Sequence, residues 1–426
     1  MFSNYTKILY SQFNKLIPKS FSKKINSHIN KNTKLRESLE ILFKLIHDNY
    51  SIIFQQIKYT KTDHRIKTDH RETSNIRQYH RKLDDIIFLN PDDKKLIQQL
   101  PNLITIQGEY KTNKVVINMA YGNHKISDKF IQRILTKIFM LISLFTNKQN
   151  AIFNINTWLS SLKKTLDSHT NTSHIHKKTS IKTTQITKVI KAKNVNSGAT
   201  IHNPLEETVE LFVWRKEEFE KVLVHEMIHT LRLDFFDYPG KLKQDFYKMF
   251  NIPNQTEIRL GEAYVETWAL ILNTIFLVIP GKLKYNSKLQ KFFEYFIWEL
   301  QYSLFQCVKI LSYFKFECFS KCDDSLINFL NEGKFQQETS VFSYYIIKTG
   351  LLVHLDLFLQ YCCNNNQSLL DVRESEESFA KLHKILMLSK DNYLLDNAFV
   401  IFKRKIEKLK EPLKSTMRMS MFELKI

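Results

Sequence analysis

The chain has 426 residues, 43% of them apolar and 13% aromatic, with only eight Gly and eight Pro. That supplies apolar material for a large core and little for long flexible linkers, which excludes a mainly disordered or repetitive chain. The net charge of +20 fits nucleic acid, an acidic membrane surface or acidic substrates, and no nucleic-acid motif picks among them.

No apolar run reaches the roughly eighteen residues of a membrane span. The best candidate, Ala269 to Ile279, follows directly on two Glu and reads as buried core. The N-terminus lacks the apolar core of a secretory signal. Cys307, Cys318, Cys322, Cys362 and Cys363 lack the spacing of a disulfide framework. The expectation is therefore an intracellular protein in a reducing compartment, not secreted, with Cys318 and Cys322 as core thiols.

In chain order, residues 1 to 75 read as a helical, basic extension. It ends in a tandem repeat, Lys61-Thr62-Asp63-His64-Arg65 and Lys67-Thr68-Asp69-His70-Arg71, expected to be a solvated linker. Leu103 to Gly108 and Lys114 to Met119 are β-rich runs that predict a hairpin. Residues 127 to 146 carry Phe130, Ile134, Ile138 and Leu141 at helical spacing. Ile152 to Trp158 predicts a strand, and residues 165 to 185 an exposed loop. Asn196 to Ile201 and Val209 to Trp214 predict two more strands, the second with one more polar face.

Lys216-Glu217-Glu218 then opens a helix containing Val224-His225-Glu226-Met227-Ile228-His229. This is an HExxH pattern in an apolar frame. Residues four apart share a helix face, so His225 and His229 point the same way, as two ligands of one zinc ion must. Glu226 lies about 100° round the helix, placed to act as a general base on water held by the metal. The helix should end between Asp234 and Gly240. Gly261-Glu262-Ala263-Tyr264-Val265-Glu266 opens a second buried helix, whose two carboxylates share a face and call for a cation or a His partner. Spacing alone admits either Glu262 or Glu266 as a third ligand. Asp234, five residues after His229, falls about 140° round an extended helix and away from the metal. Beyond Glu266 nearly everything reads as helical, including 288 to 316, 339 to 361, 375 to 388 and 399 to 409.

HExxH followed some thirty residues later by Gly-Glu-Ala-x-x-Glu resembles the gluzincin metallopeptidases, of which thermolysin is the familiar case. Asn194-Val195-Asn196-Ser197-Gly198-Ala199-Thr200, then Trp214-Arg215-Lys216-Glu217-Glu218 and the HExxH stretch, resemble more closely an uncharacterised metallopeptidase family of giant DNA viruses. The resemblance implies an α+β, zincin-like fold. A small mixed sheet with a backing helix and the HExxH helix would fill residues 100 to 240, and a mostly helical lower subdomain residues 241 to 426. It implies one zinc ion per chain on His225, His229 and Glu262. Glu266 would orient a metal-bound His, and Glu226 would be the general base for hydrolysing a peptide or protein substrate. Asn196, Ser197, Gly198 and Ala199 would form the edge strand that pairs with extended substrate. Tyr344, Tyr345 and His354 are the candidates for stabilising an oxyanion. The competing reading is an inactive zincin scaffold, a virion or interaction component that contacts nucleic acid through basic segments. The intact set of ligands plus Glu226 favours the enzyme.

Overall fold

The computed structural model describes residues 2–65, 70–166, 188–203, 208–235, 238–254, 256–319 and 335–426. Among these the chain forms a six-stranded mixed sheet and fifteen α-helices. The fold is α+β, with a helical N-terminal region and a mostly helical C-terminal half.

Three helices come first: α1 (Asn4–Leu16), α2 (Lys19–Lys31) and α3 (Thr33–Gln56). Ser3 and Asn32 cap α1 and α3 by accepting from backbone N–H groups of their first turns. Leu9 and Phe13 on α1, then Phe21, Ile25 and Ile29 on α2, form an apolar stripe that is buried throughout. The chain continues directly into β1 (Lys58–Arg65), which pairs antiparallel with β2 (Asn102–Tyr110) over its whole length, from Lys58 opposite Glu109 to Arg65 opposite Asn102. The first repeat copy, Lys61 to Arg65, is therefore edge strand rather than linker. An edge strand tolerates such a polar sequence because one side of it stays in water. The spacer residue 66 and residues 67–69 of the second copy lie outside the described residues; α4 (His70–Arg81) begins at the fourth position of that copy.

The sheet order is β1-β2-β3-β4-β6-β5. β2 and β3 (Asn113–Tyr121) form the expected hairpin, with Ile106 opposite Ile117. The expected helix is α6 (Asp128–Phe145), and it carries the chain to β4 (Ile152–Trp158), parallel to β3. β5 (Gly198–Asn203) and β6 (Thr208–Val213) follow a short α7 (Ala192–Val195). β6 is parallel to β4, and β5 closes the edge antiparallel to β6. The expected loop at 165 to 185 falls almost wholly outside the described residues.

Both faces of the sheet are covered. Ile104, Ile106, Val115, Ile117, Ile155, Leu211 and Val213 join the main core beneath α6. Leu103, Ala120, Trp158, Ala199, Phe212 and Trp214 form a second core with Ile76, Tyr79, Leu83 and Ile97 from α4, the turn after it and α5 (Pro91–Ile97). The face of β6 expected to be more polar thus buries Phe212 and Trp214 completely, and its Glu210 pairs with Lys82.

The helical half comprises α8 (Phe219–Thr230), α9 (Gly240–Phe250), α10 (Leu260–Val278) and α11 (Tyr285–Tyr313). Next come α12 (Lys348–Val353), α13 (Leu355–Asn365), α14 (Glu376–Met387) and α15 (Tyr393–Ile406). The stretch expected as one helix from 339 to 361 is broken. A π-helical turn at Phe342–Ile347 precedes α12, and the chain bends by 90° between α12 and α13. No single described helix is long and apolar enough to cross a membrane; that bent pair passes on length and composition only. Cys318, expected as a free core thiol, is disulfide-bonded, while Cys307 and Cys362 are buried and free.

The C-terminal segment is core. Met417 to Phe422 are buried, held by two buried carboxylates. Glu218 accepts from the N–H groups of Met419 (3.0 Å) and Ser420 (2.7 Å). Glu299 accepts from those of Met421 (2.8 Å) and Phe422 (3.1 Å). Nearby, the Lys309 ammonium donates to the carbonyls of Leu413 and Thr416. Burial depresses its pKa from 10.5 to about 7. Between those values the unfolded chain binds one more proton than the folded chain, so this lysine makes stability rise with pH across that window. Lys309→Met removes the dependence. Its stability relative to wild type, from urea melts, should fall on the order of 3 kcal/mol between pH 7 and pH 10. A constant difference would show that Lys309 stays charged in the fold.

Candidate metal centre

The HExxH helix α8 and the second-motif helix α10 pack side by side and bury nearly every residue along both. Three atoms converge between them. His225 Nε2 lies 3.2 Å from Glu262 Oε2, His229 Nε2 lies 3.4 Å from the same oxygen, and the two Nε2 atoms are 3.2 Å apart. A tetrahedral zinc ion with ligands at about 2.0–2.1 Å holds them about 3.3–3.4 Å apart. His225, His229 and Glu262 can thus hold a metal ion.

The outer ring nitrogens explain why these atoms converge. His225 Nδ1 donates to Glu266 Oε2 at 3.0 Å, and His229 Nδ1 donates to Asp234 Oδ2 at 2.8 Å. With both Nδ1 protons so committed, the Nε2 lone pairs of the neutral rings face each other and Glu262 Oε2, a buried oxygen that meets no hydrogen-bond donor. Three electron-rich atoms at these distances repel unless a cation lies between them. Without an ion the cluster draws protons instead. Burial would lower the imidazole pKa of His229, but Asp234 and Glu262 hold it well above the ordinary histidine value. Burial would raise Glu262, and the two imidazoles hold it well below the usual carboxylate range.

Asp234 is a finding against expectation. Extending α8 would turn it away from the metal, but α8 ends at Thr230 and Arg232 adopts a left-handed φ of 57°. The backbone reverses, with Leu233 N donating to Ile228 O, and this returns Asp234 to His229. The same turn lies against α10. A Cβ on Gly261 would come 2.2 Å from the carbonyl oxygen of Phe235, so only glycine fits beside Glu262.

Glu226 points to the sheet side of α8. Thr200 Oγ1 donates to Glu226 Oε2 at 2.9 Å. A Cβ on Gly198 would lie 2.6 Å from Glu226 Oε1, so glycine at this edge-strand position makes room for the carboxylate. Burial raises the Glu226 carboxyl above its ordinary value. Gly198 and Ala199 begin β5, which is paired on one side only among the described residues, while Asn196 and Ser197 lead into it. Asn196 Oδ1 accepts from Thr339 Oγ1 at 2.9 Å.

Glu266 is fully buried and bridges His225 to Lys221, which lies one turn before His225 on α8. Burial pushes its carboxyl up, and Lys221 and His225 pull it down to about 2. Of the three oxyanion candidates the structure brings one to the cluster. The Tyr344 ring centroid is 6.1 Å from that of His225, and Tyr344 sits on the π turn. Burial, then the charges of Glu262 and Glu226, keep its hydroxyl protonated. Tyr345 instead donates to the carbonyl of Met417, and His354 bonds to Asn392 at 3.1 Å. Sequence reasoning missed Thr200, Lys221 and Asp234. For Lys221 there was a signal, since an i, i+4 lysine on an apolar helix needs a buried partner.

In comparisons with known protein families, curated proteins and solved structures, the chain matches none.

Proposed function

We propose that this chain is a zinc-dependent metallopeptidase of gluzincin type. The observation that carries the reading is the spacing of His225 Nε2, His229 Nε2 and Glu262 Oε2 at the edges of a zinc tetrahedron. The arrangement supports it further. A general base stands on the same helix, a strand edge unpaired among the described residues runs beside it, and each histidine is oriented by a carboxylate.

Zinc would supply Lewis acidity, lowering the pKa of a water and polarising a carbonyl. The chain's own groups do the rest. The outer edge of β5, unpaired among the described residues, would offer backbone N–H and C=O groups to an extended peptide, and Gly198 brings that backbone close to Glu226. Glu226, held by Thr200, takes the proton of the attacking water and returns it to the leaving amine. Glu266 and Asp234 fix the ring orientations of His225 and His229. The Tyr344 hydroxyl, kept protonated and carried by a ring beside His225, would donate to a developing oxyanion.

The test combines metal analysis with cleavage of a peptide library by wild type and Glu226→Gln. The amide keeps the shape of the side chain and cannot act as a base. We expect about one zinc per chain in both proteins. Cleavage by the variant should fall at least about a hundredfold. Unchanged turnover would place the chemistry elsewhere.

A further inference from the structure

We infer that α1, α2, α15 and the turn after α15 form a face that binds nucleic acid through its phosphates. The charge that looks dispersed along the sequence is gathered here by the fold. Residues 1–31 hold six Lys and no Asp or Glu, and residues 393–414 hold six Lys or Arg against three acidic residues, so these stretches account for nine of the net +20 charges. They are nearly four hundred residues apart in sequence and adjacent in space. Phe21 packs edge-on against Phe402 at 5.5 Å. Lys24 Nζ lies 3.4 Å from Asn397 Oδ1, Lys405 Nζ donates to Leu16 O at 2.6 Å, and Gln12 Nε2 donates to Glu411 O at 2.8 Å.

Lys15, Lys19, Lys23 and Lys24 are exposed along one side of this seam, and Arg404 and Lys408 along the other. Arg404 is seven residues beyond Asn397, on the same face of α15. None of these six forms an ion pair among the described residues; Asp396, Glu407 and Glu411 are the only carboxylates in the two stretches. A surface that keeps so many unpaired cations together costs self-repulsion, which a polyanion relieves. The apolar residues decide between polyanions. Phe21, Ile25 and Ile29 are at most 1% exposed, and the only large apolar side chains exposed on α1 and α15 are Ile8, Tyr393 and Val400, too few for an apolar stripe that would enter a bilayer. Nucleic acid asks only for charge, and no element here is shaped to read bases, so binding is independent of sequence.

The test measures binding of a short fluorescent random-sequence DNA duplex to the full chain by anisotropy. About four phosphate contacts predict a loss of affinity of about a hundredfold between 50 and 200 mM salt. The triple variant Lys19→Glu, Lys23→Glu, Arg404→Glu should bind at least about tenfold more weakly at low salt, with a flatter salt dependence. The control Lys114→Glu, Lys282→Glu, Lys284→Glu changes net charge equally at exposed sites outside the seam and should bind nearly as wild type. Thermal melts of both variants confirm folding. Equal weakening by the control would show a net-charge effect only and overturn the proposal. So would absent DNA binding, or stronger binding to phosphatidylserine vesicles than to DNA.

Discussion

Glu262→Ala should lose zinc nearly completely, as should His225→Ala and His229→Ala, while Glu266→Ala and Asp234→Ala should keep it with weaker affinity. The division follows from which atoms converge. Each of the first three contributes one corner of a triangle with edges of 3.2 to 3.4 Å, and two corners do not hold the ion against water and chelator. Glu266 and Asp234 touch only the outer nitrogens, at 3.0 and 2.8 Å. Losing either frees a ring to rotate and to protonate, which weakens binding about 10–100-fold. Asp234→Asn keeps an oxygen for the Nδ1 proton and should recover part of the loss. Competition against a chelator of known affinity measures all six variants. Wild-type affinity in Asp234→Ala would make its contact with His229 incidental, and full occupancy in Glu262→Ala would remove the third ligand.

What was legible in the sequence is what depends on local periodicity. His225 and His229 at i and i+4, and Glu262 and Glu266 at i and i+4, fix two faces, and each pair emerges as spacing demands because both helices are regular. The hairpin of β2 and β3 and the helix α6 were readable for the same reason. Asp234 was not, because its position depends on the reversal at Arg232 rather than on the helix before it. Thr200 was not, since a threonine on a strand declares nothing until the strand is laid beside α8. The burial of Met417 to Phe422 was hidden by Arg418, a charge inside an apolar run. Its pairing with Glu423 at 3.4 Å, and the charges of Glu217 and Glu218, come from sites that only the fold brings together. The π turn that carries Tyr344 has no period that a sequence could display.

Deleting residues 1–65 should leave no soluble folded protein, although the sequence reading treats nearly the same segment as an appendage. Fourteen apolar residues between Leu9 and Ile57 belong to the main core. Phe13 alone meets Tyr302 at 5.4 Å and Phe305 at 5.3 Å on α11, and α3 lies along α6, the helix that backs the sheet. Removing the segment uncovers the partner surfaces of all fourteen. At even about 1 kcal/mol each, below the usual worth of a buried apolar side chain, the loss matches the whole stability of a typical domain, about 5–15 kcal/mol. Loss of β1 also strips eight residues of pairing from β2 and turns it into an exposed edge that invites aggregation. A graded variant keeps the test informative where the truncated chain cannot be purified. Phe13→Ala opens a cavity among aromatic rings and should cost about 3–5 kcal/mol in a urea melt, with its zinc content unchanged below the transition. A truncated chain that is soluble, binds zinc and melts as the full chain does would show that the helices only cover a core which stands without them.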